Sequence, residues 1–246
     1  MADLHFIGGE KGGVGKSLVA RTLTQYFIDQ DIPFVLFDTD RSNPDLARIY
    51  GKAVPCRLAV FSEGEKYEDT ANQVFNTATS KRVLVNLPAQ VFPAMRKWFE
   101  DNDLLDIAEE EGVTPVMWFV SDGGYDSLNL MRKSMDYFQG RVQHVIVRNW
   151  GRNEFEDWDE VLAGAENIKL KQLLTKYQPA IIDFPKWIGM TDRNQVDARS
   201  LTFGQAREDK QLSAISRQRV KKFLRQAYEA FGSTAIFNDL PSSESA

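Results

Sequence analysis

The chain has 246 residues and a formal net charge of −5, with 43% hydrophobic and 26% charged residues, the usage of an ordinary globular protein and not of a disordered or membrane-embedded one. A single cysteine, Cys56, excludes an internal disulfide, and His5 and His144 are too few for a structural zinc cluster, so any metal is expected to be a hard cation. No apolar stretch approaches the roughly 20 residues of a membrane span, and no charged-then-apolar leader precedes the first motif; we therefore expect a cytoplasmic protein with no membrane attachment.

Along the chain, short β-branched and aromatic runs alternate with segments of helical period. The strands expected are Leu4 to Ile7, Phe34 to Phe37, Val83 to Val85, Val116 to Val120, Val142 to Val147 and Ala180 to Phe184. Most are continuous apolar runs, as in strands covered on both faces. This alternation predicts an α/β fold: a doubly wound, mostly parallel twisted sheet with helices on both faces. The chain reads as one domain over 1–240, with a disordered polar tail over 241–246.

The first strand runs into Gly8-Gly9-Glu10-Lys11-Gly12-Gly13-Val14-Gly15-Lys16-Ser17, after which Val19, Leu23 and Phe27 recur at intervals of four. Such spacing places one apolar stripe on a helix beginning near Lys16. A glycine-rich turn between a strand and a helix N-terminus is a P-loop, whose backbone N–H groups converge on an anion that the helix dipole also favours. The loop predicts binding of ATP with Mg²⁺. Gly12, Gly13, Val14, Gly15, Lys16, Ser17 and Leu18 cradle the phosphates, Lys16 reaches the β- and γ-phosphates, and the Ser17 hydroxyl ligates the metal. Glu10 stands where the usual pattern has its first glycine.

The second strand ends in Asp38-Thr39-Asp40, delivering two carboxylates to the crevice at the sheet's C-terminal edge. One suits a metal-bound water and the other an attacking water; alternatively, Asp40 caps the turn entering Ser42 to Tyr50. Ser62 to Glu68 reads as a solvated loop around Gly64. The strand that follows ends in Asn86-Leu87-Pro88-Ala89-Gln90. Gln90 suits either a water-orienting or a plain turn role.

Lys11-Gly12-Gly13-Val14-Gly15-Lys16-Ser17 resembles the deviant Walker A motif of the ParA/MinD superfamily of P-loop ATPases. The resemblance implies that Lys11 reaches across an ATP-dependent homodimer to the partner's nucleotide; the alternative is a surface lysine at a turn. It also implies that Asp38 lies in the metal's outer shell and that Asp40 positions water. Asn86 stands where the family has the Walker B aspartate. An amide carries no charge to support Mg²⁺, so slower hydrolysis or weaker metal binding is expected. Together with Asp38-Thr39-Asp40-Arg41-Ser42, these segments look closest to plasmid mobilisation ATPases of the MobD kind.

Later strands supply the base end. Asn149, after the fifth, matches an adenine edge by donating and accepting, and similar proteins place an asparagine there. Pro185, after the sixth, walls the same pocket, while Trp150 and Trp187 suit core or rim positions. A C-terminal helix over Leu212 to Phe231 turns Leu212, Ile215, Val220, Phe223 and Leu224 inward. Its other side carries Arg217, Arg219, Lys221, Lys222 and Arg225, either a solvated face or a weak, sequence-independent DNA contact.

The function expected is an ATP-dependent switch in plasmid or DNA partition, mobilisation or intracellular positioning, with slow hydrolysis and an activating partner protein. Two alternatives stand beside it: a biosynthetic enzyme of the cobyrinate diamide or dethiobiotin synthetase type, which has no use for Lys11, and a nucleotide-bound scaffold that barely hydrolyses.

Overall fold

A computed structural model describes residues 2–62, 64, 67–153, 157–164 and 167–237. The elements in chain order are β1 (Ala2–Gly8), α1 (Lys16–Asp29), β2 (Val35–Asp38), α2 (Asp45–Tyr50), β3 (Cys56–Leu58), α3 (Glu68–Ala78), β4 (Val83–Asn86), α4 (Phe92–Asp101), α5 (Leu104–Glu110) and β5 (Val113–Ser121). There follow α6 (Tyr125–Phe138), β6 (Gln143–Asn149), α7 (Trp158–Ala163), α8 (Ile168–Tyr177), β7 (Ala180–Phe184), α9 (Met190–Ala198), α10 (Phe203–Ala206) and α11 (Ala214–Gly232).

The strands form one seven-stranded sheet in the order β3-β2-β4-β1-β5-β6-β7, every pair parallel. This is the α/β architecture expected, with all six predicted strands present. Alternation along each strand feeds two cores. Ile7, Leu84, Trp118 and Val145 pack with α1, α10 and α11 on one face, while Phe6, Phe37, Phe119 and Ile146 pack with α3, α4 and α6 on the other. Val19, Leu23 and Phe27 of α1 are fully buried, as their spacing predicts.

Four expectations need correction or limits. The sheet has a seventh strand, β3, which pairs with β2 at the edge; its Cys56-Arg57-Leu58 is largely exposed, so no apolar run marks it. Ile215 does not face inward but is 66% exposed, because Ser216 takes the inward position to donate to Asp192. Glu68 begins α3 instead of closing a loop. The tail over 241–246 lies outside the described residues.

Both histidines are buried and neutral. His5 sits among Phe27, Trp118 and Phe237, its Nδ1 accepting from Trp118 Nε1 at 3.2 Å. Burial, then the Arg82 charge, pushes its pKa down from 6.5 to about 3. Burial likewise pushes His144 to about 4. The unfolded chain therefore binds protons that the folded chain refuses, so this stability is complete above pH 6.5 and is lost as pH falls toward those lower values. From about pH 7.5 to about pH 5.5 the unfolding free energy should drop by about 3 kcal/mol. A melting temperature that held constant or rose over that range would contradict this assignment.

Candidate nucleotide site

The parallel register brings the C-terminal ends of β1, β2 and β4 side by side, with Ile7 opposite Asn86 and Asp38 opposite Asn86. The loop leaving β1 turns at Gly13 (φ 80°) and Gly15 (φ 98°), values that glycine adopts without strain. Gly15 also has no room for a side chain, since a Cβ there would collide with Asn149 Nδ2. α1 starts at Lys16 with no side-chain cap, leaving its N-terminal donors to an external anion. Lys16 is only 8% exposed, and its Nζ donates to the Lys11 carbonyl at 2.8 Å. Burial lowers its pKa, while the charges of Glu10 and Asp40 oppose that shift.

The structure brings Asp38 and Asn86 into one buried corner. Asn86 Nδ2 donates to Asp38 Oδ1 at 3.0 Å, and the Ala47 N–H donates to Asp38 Oδ2 at 3.0 Å. Burial raises the Asp38 pKa, opposed by these donors and by the Asp40 N–H. Asn86 Oδ1 is buried with no hydrogen-bond partner, a costly arrangement that an added donor would relieve. Among the described residues no group of three or more His, Cys, Asp or Glu could hold a metal by itself. The corner nonetheless fits Mg²⁺ carried with phosphate. The Ser17 hydroxyl would be the protein's direct ligand, while Asn86 Oδ1 and Asp38 would accept from water on the ion.

Asp40 does what its alternative reading held: Oδ1 accepts from the Ser42 and Asn43 N–H groups, both at 3.1 Å, fixing the turn before α2. Gln90 adopts φ 59° and its N–H donates to the Glu10 carbonyl at 3.0 Å, tying the loop after β4 to the P-loop. Asn149 lies at the same end of the sheet, 1% exposed. Its Nδ2 donates to the Val14 carbonyl at 2.7 Å and its Oδ1 accepts from the Gly151 N–H at 2.9 Å. In this conformation the amide braces the P-loop. Pro185 follows β7, whose Phe184 is paired with Asn149. Of the tryptophans, Trp187 is core, stacked on Phe223, and Trp150 donates to Asp183 at 2.7 Å.

Two site residues escaped the sequence reading. Asp122, just past β5, accepts from Lys11 Nζ at 2.8 Å. Arg152, in the turn after β6, brings its Cγ within 3.7 Å of a Cβ placed on Gly15. The strand-end rule that found Asp38 would have found both, because each follows the C-terminal edge of a parallel strand.

The basic side of α11 is partly engaged. Arg217 donates to the Leu212 carbonyl at 2.5 Å, Arg219 pairs with Asp192 at 2.9 Å and Lys221 with Glu208 at 3.0 Å. Lys222 and Arg225 are exposed. No described helix is long and apolar enough to cross a membrane.

No known protein-family profile matches the chain. Protein MobD of Acidithiobacillus ferrooxidans is 28% identical over 145 residues, which are 58% of this chain and 62% of MobD, less than two thirds of that relative's length. Protein TraL of Escherichia coli is 26% identical over 248 residues, covering 96% of this chain and 100% of TraL. Among solved structures, the MinD cell division protein of Aquifex aeolicus superposes with a TM-score of 0.51 at 15% identity, over 91% of this chain and 95% of that one, which establishes a common fold. The chain thus shares the fold of MinD and is similar in sequence to the plasmid-related proteins MobD and TraL.

Proposed function

We propose that the protein is an ATPase switch that binds Mg-ATP, dimerises through Lys11 and resets by slow hydrolysis. The observation that carries this reading is the lodging of Lys16 inside a glycine-turned loop at an uncapped helix N-terminus. A buried lysine whose ammonium donates to a backbone carbonyl is poised to exchange that carbonyl for phosphate oxygens. Backbone N–H groups from Gly12 to Leu18 would receive the phosphates, and Pro185 and Asn149 would border the base. Mg²⁺ would supply charge neutralisation across the phosphates. Ser17, Asp38 and Asn86 would hold it and its waters. Asp40 Oδ1 holds the turn, leaving Oδ2 to orient the attacking water.

Asn86 favours slow turnover. It satisfies Asp38 without adding charge, so the corner offers one carboxylate where two would bind the metal's waters more tightly. A partner protein that accelerates hydrolysis fits such a switch. The matches to MobD and TraL point the biological role toward plasmid mobilisation or transfer. Equilibrium titration with ATP and ADP, with and without Mg²⁺, together with phosphate release, tests the biochemical core. Micromolar, Mg²⁺-dependent binding of ATP with slow release supports it, and absence of nucleotide binding refutes it.

DNA contact through α11 belongs to the same proposal. Replacing Arg217, Lys221 and Arg225 with alanine removes about three cations per subunit, enough to abolish weak binding and flatten its salt dependence. The check is a DNA titration across a salt series. Because Arg217 and Lys221 already have protein partners, Lys222→Ala with Arg225→Ala is the cleaner second variant. Unchanged affinity in both would remove this face from the account.

A further inference from the structure

The first turn of the P-loop carries a side chain that phosphate binding does not require. Glu10 adopts φ 38°, in the left-handed region where L side chains are disfavoured. Its carbonyl accepts from Gln90, and Gln90 adopts φ 59°, so two such residues face each other across this contact. The N–H groups of Phe92 and Val91 at the start of α4 and the charge of Lys16 act on the Glu10 carboxyl. Burial pushes its pKa upward, while Phe92, Lys16 and Val91 support the charged form. With Lys11, Gly12 and Gln90, the residue lines a groove of about 490 Å³ beside the loop. Asn149 and Arg152 flank the opposite end, at Gly15. The acid therefore stands at the end of the loop remote from the base, where the terminal phosphate of a nucleoside triphosphate would lie.

We propose that Glu10 is a specificity-determining residue whose negative charge opposes the γ-phosphate and so sets the preference of this loop between ATP and ADP. This rests on the ATP-binding reading above. Like charges a few ångströms apart, at an effective dielectric constant of about 20, repel strongly enough to change affinity about 5- to 20-fold after solvent screening. The β-phosphate would lie deeper in the loop, covered by Lys16, so ADP would feel less of this repulsion. Glu10 also draws on the charge of Lys16 that a γ-phosphate would otherwise have to itself. Where Asn86 slows hydrolysis, a weakened hold on the triphosphate gives the ATP state a second way to end, by nucleotide exchange.

The test is Glu10→Gln, which keeps the length of the side chain and an acceptor for the α4 N–H groups but removes the charge, with Glu10→Asp as the variant that keeps the charge. Equilibrium and stopped-flow binding of Mg-ATP and Mg-ADP are measured beside Lys16→Ala, and melting temperatures confirm that each variant is folded. Glu10→Gln should bind ATP about 5- to 20-fold tighter, with proportionally slower release and an ADP affinity changed by less than about 2-fold. Glu10→Asp should keep the wild-type ratio. A merely structural residue would not strengthen binding when replaced. An unchanged ratio, or equal weakening for both nucleotides, overturns the inference and leaves the ATP-binding reading standing. No binding by wild type, indistinguishable from Lys16→Ala, overturns that reading and the inference with it.

Discussion

Lys16→Ala should lose nucleotide binding by about 100-fold or more, equivalent to about 3 kcal/mol, and with it every ATP-dependent change of mass. The lysine is buried at the start of α1 and its ammonium contacts a loop carbonyl, so it can meet phosphate without rebuilding the loop. Lys11→Ala should behave differently, binding ATP within about 3-fold of wild type while staying monomeric. Lys11 lies in the loop, but its ammonium is directed to Asp122. That pair is partly exposed and worth no more than about 1 kcal/mol. Asp122→Asn should therefore lower the ATP concentration needed for dimerisation by up to about 5-fold. Isothermal titration separates binding from light scattering, which reads mass. Equal dimer formation in wild type and Lys11→Ala would sink the cross-dimer role.

Asn86→Asp is the second change with a large expected effect. It places a carboxylate where Asn86 Nδ2 now donates to Asp38 at 3.0 Å. Two carboxylates at that separation in a buried corner cannot both stay ionised. Without metal and nucleotide the variant should lose about 2 kcal/mol at neutral pH, lowering its melting temperature by about 5 °C. The sign with pH follows from the raised carboxyl pKa in the folded state. The deficit relative to wild type shrinks as pH falls and the pair binds a proton, and grows as pH rises. With Mg-ATP the added charge should strengthen the metal dependence and raise phosphate release. A variant as stable as wild type and equally slow would show that Asn86 neither relieves Asp38 nor limits turnover.

What the sequence made legible was the part governed by local pattern. Six strand cores and the α1 stripe follow from apolar runs and a four-residue spacing, and the Lys11 to Ser17 loop follows from its place between β1 and α1. What it left obscure depends on contacts distant in sequence. The Lys11–Asp122 pair spans 111 positions, and no spacing rule joins them. Asn149 was legible as a polar strand-end residue, but its service to Val14, 135 positions away, arises only once β6 lies beside the P-loop. Ile215 misled for a physical reason: the helical period allows either Ile215 or Ser216 to face inward at the start of α11, and the Asp192 carboxylate selects the serine. The short edge strand β3 has no buried face to leave an apolar signature.

The central claim is an ATP-specific change of assembly, and the most direct measurement is molar mass by light scattering with Mg-ADP and then with Mg-ATP at equal protein concentration. The protein should show monomer mass with ADP and a doubling with ATP that Lys11→Ala abolishes. A mass indifferent to which nucleotide is bound would contradict the switch and turn attention to a small-molecule substrate beside the γ-phosphate.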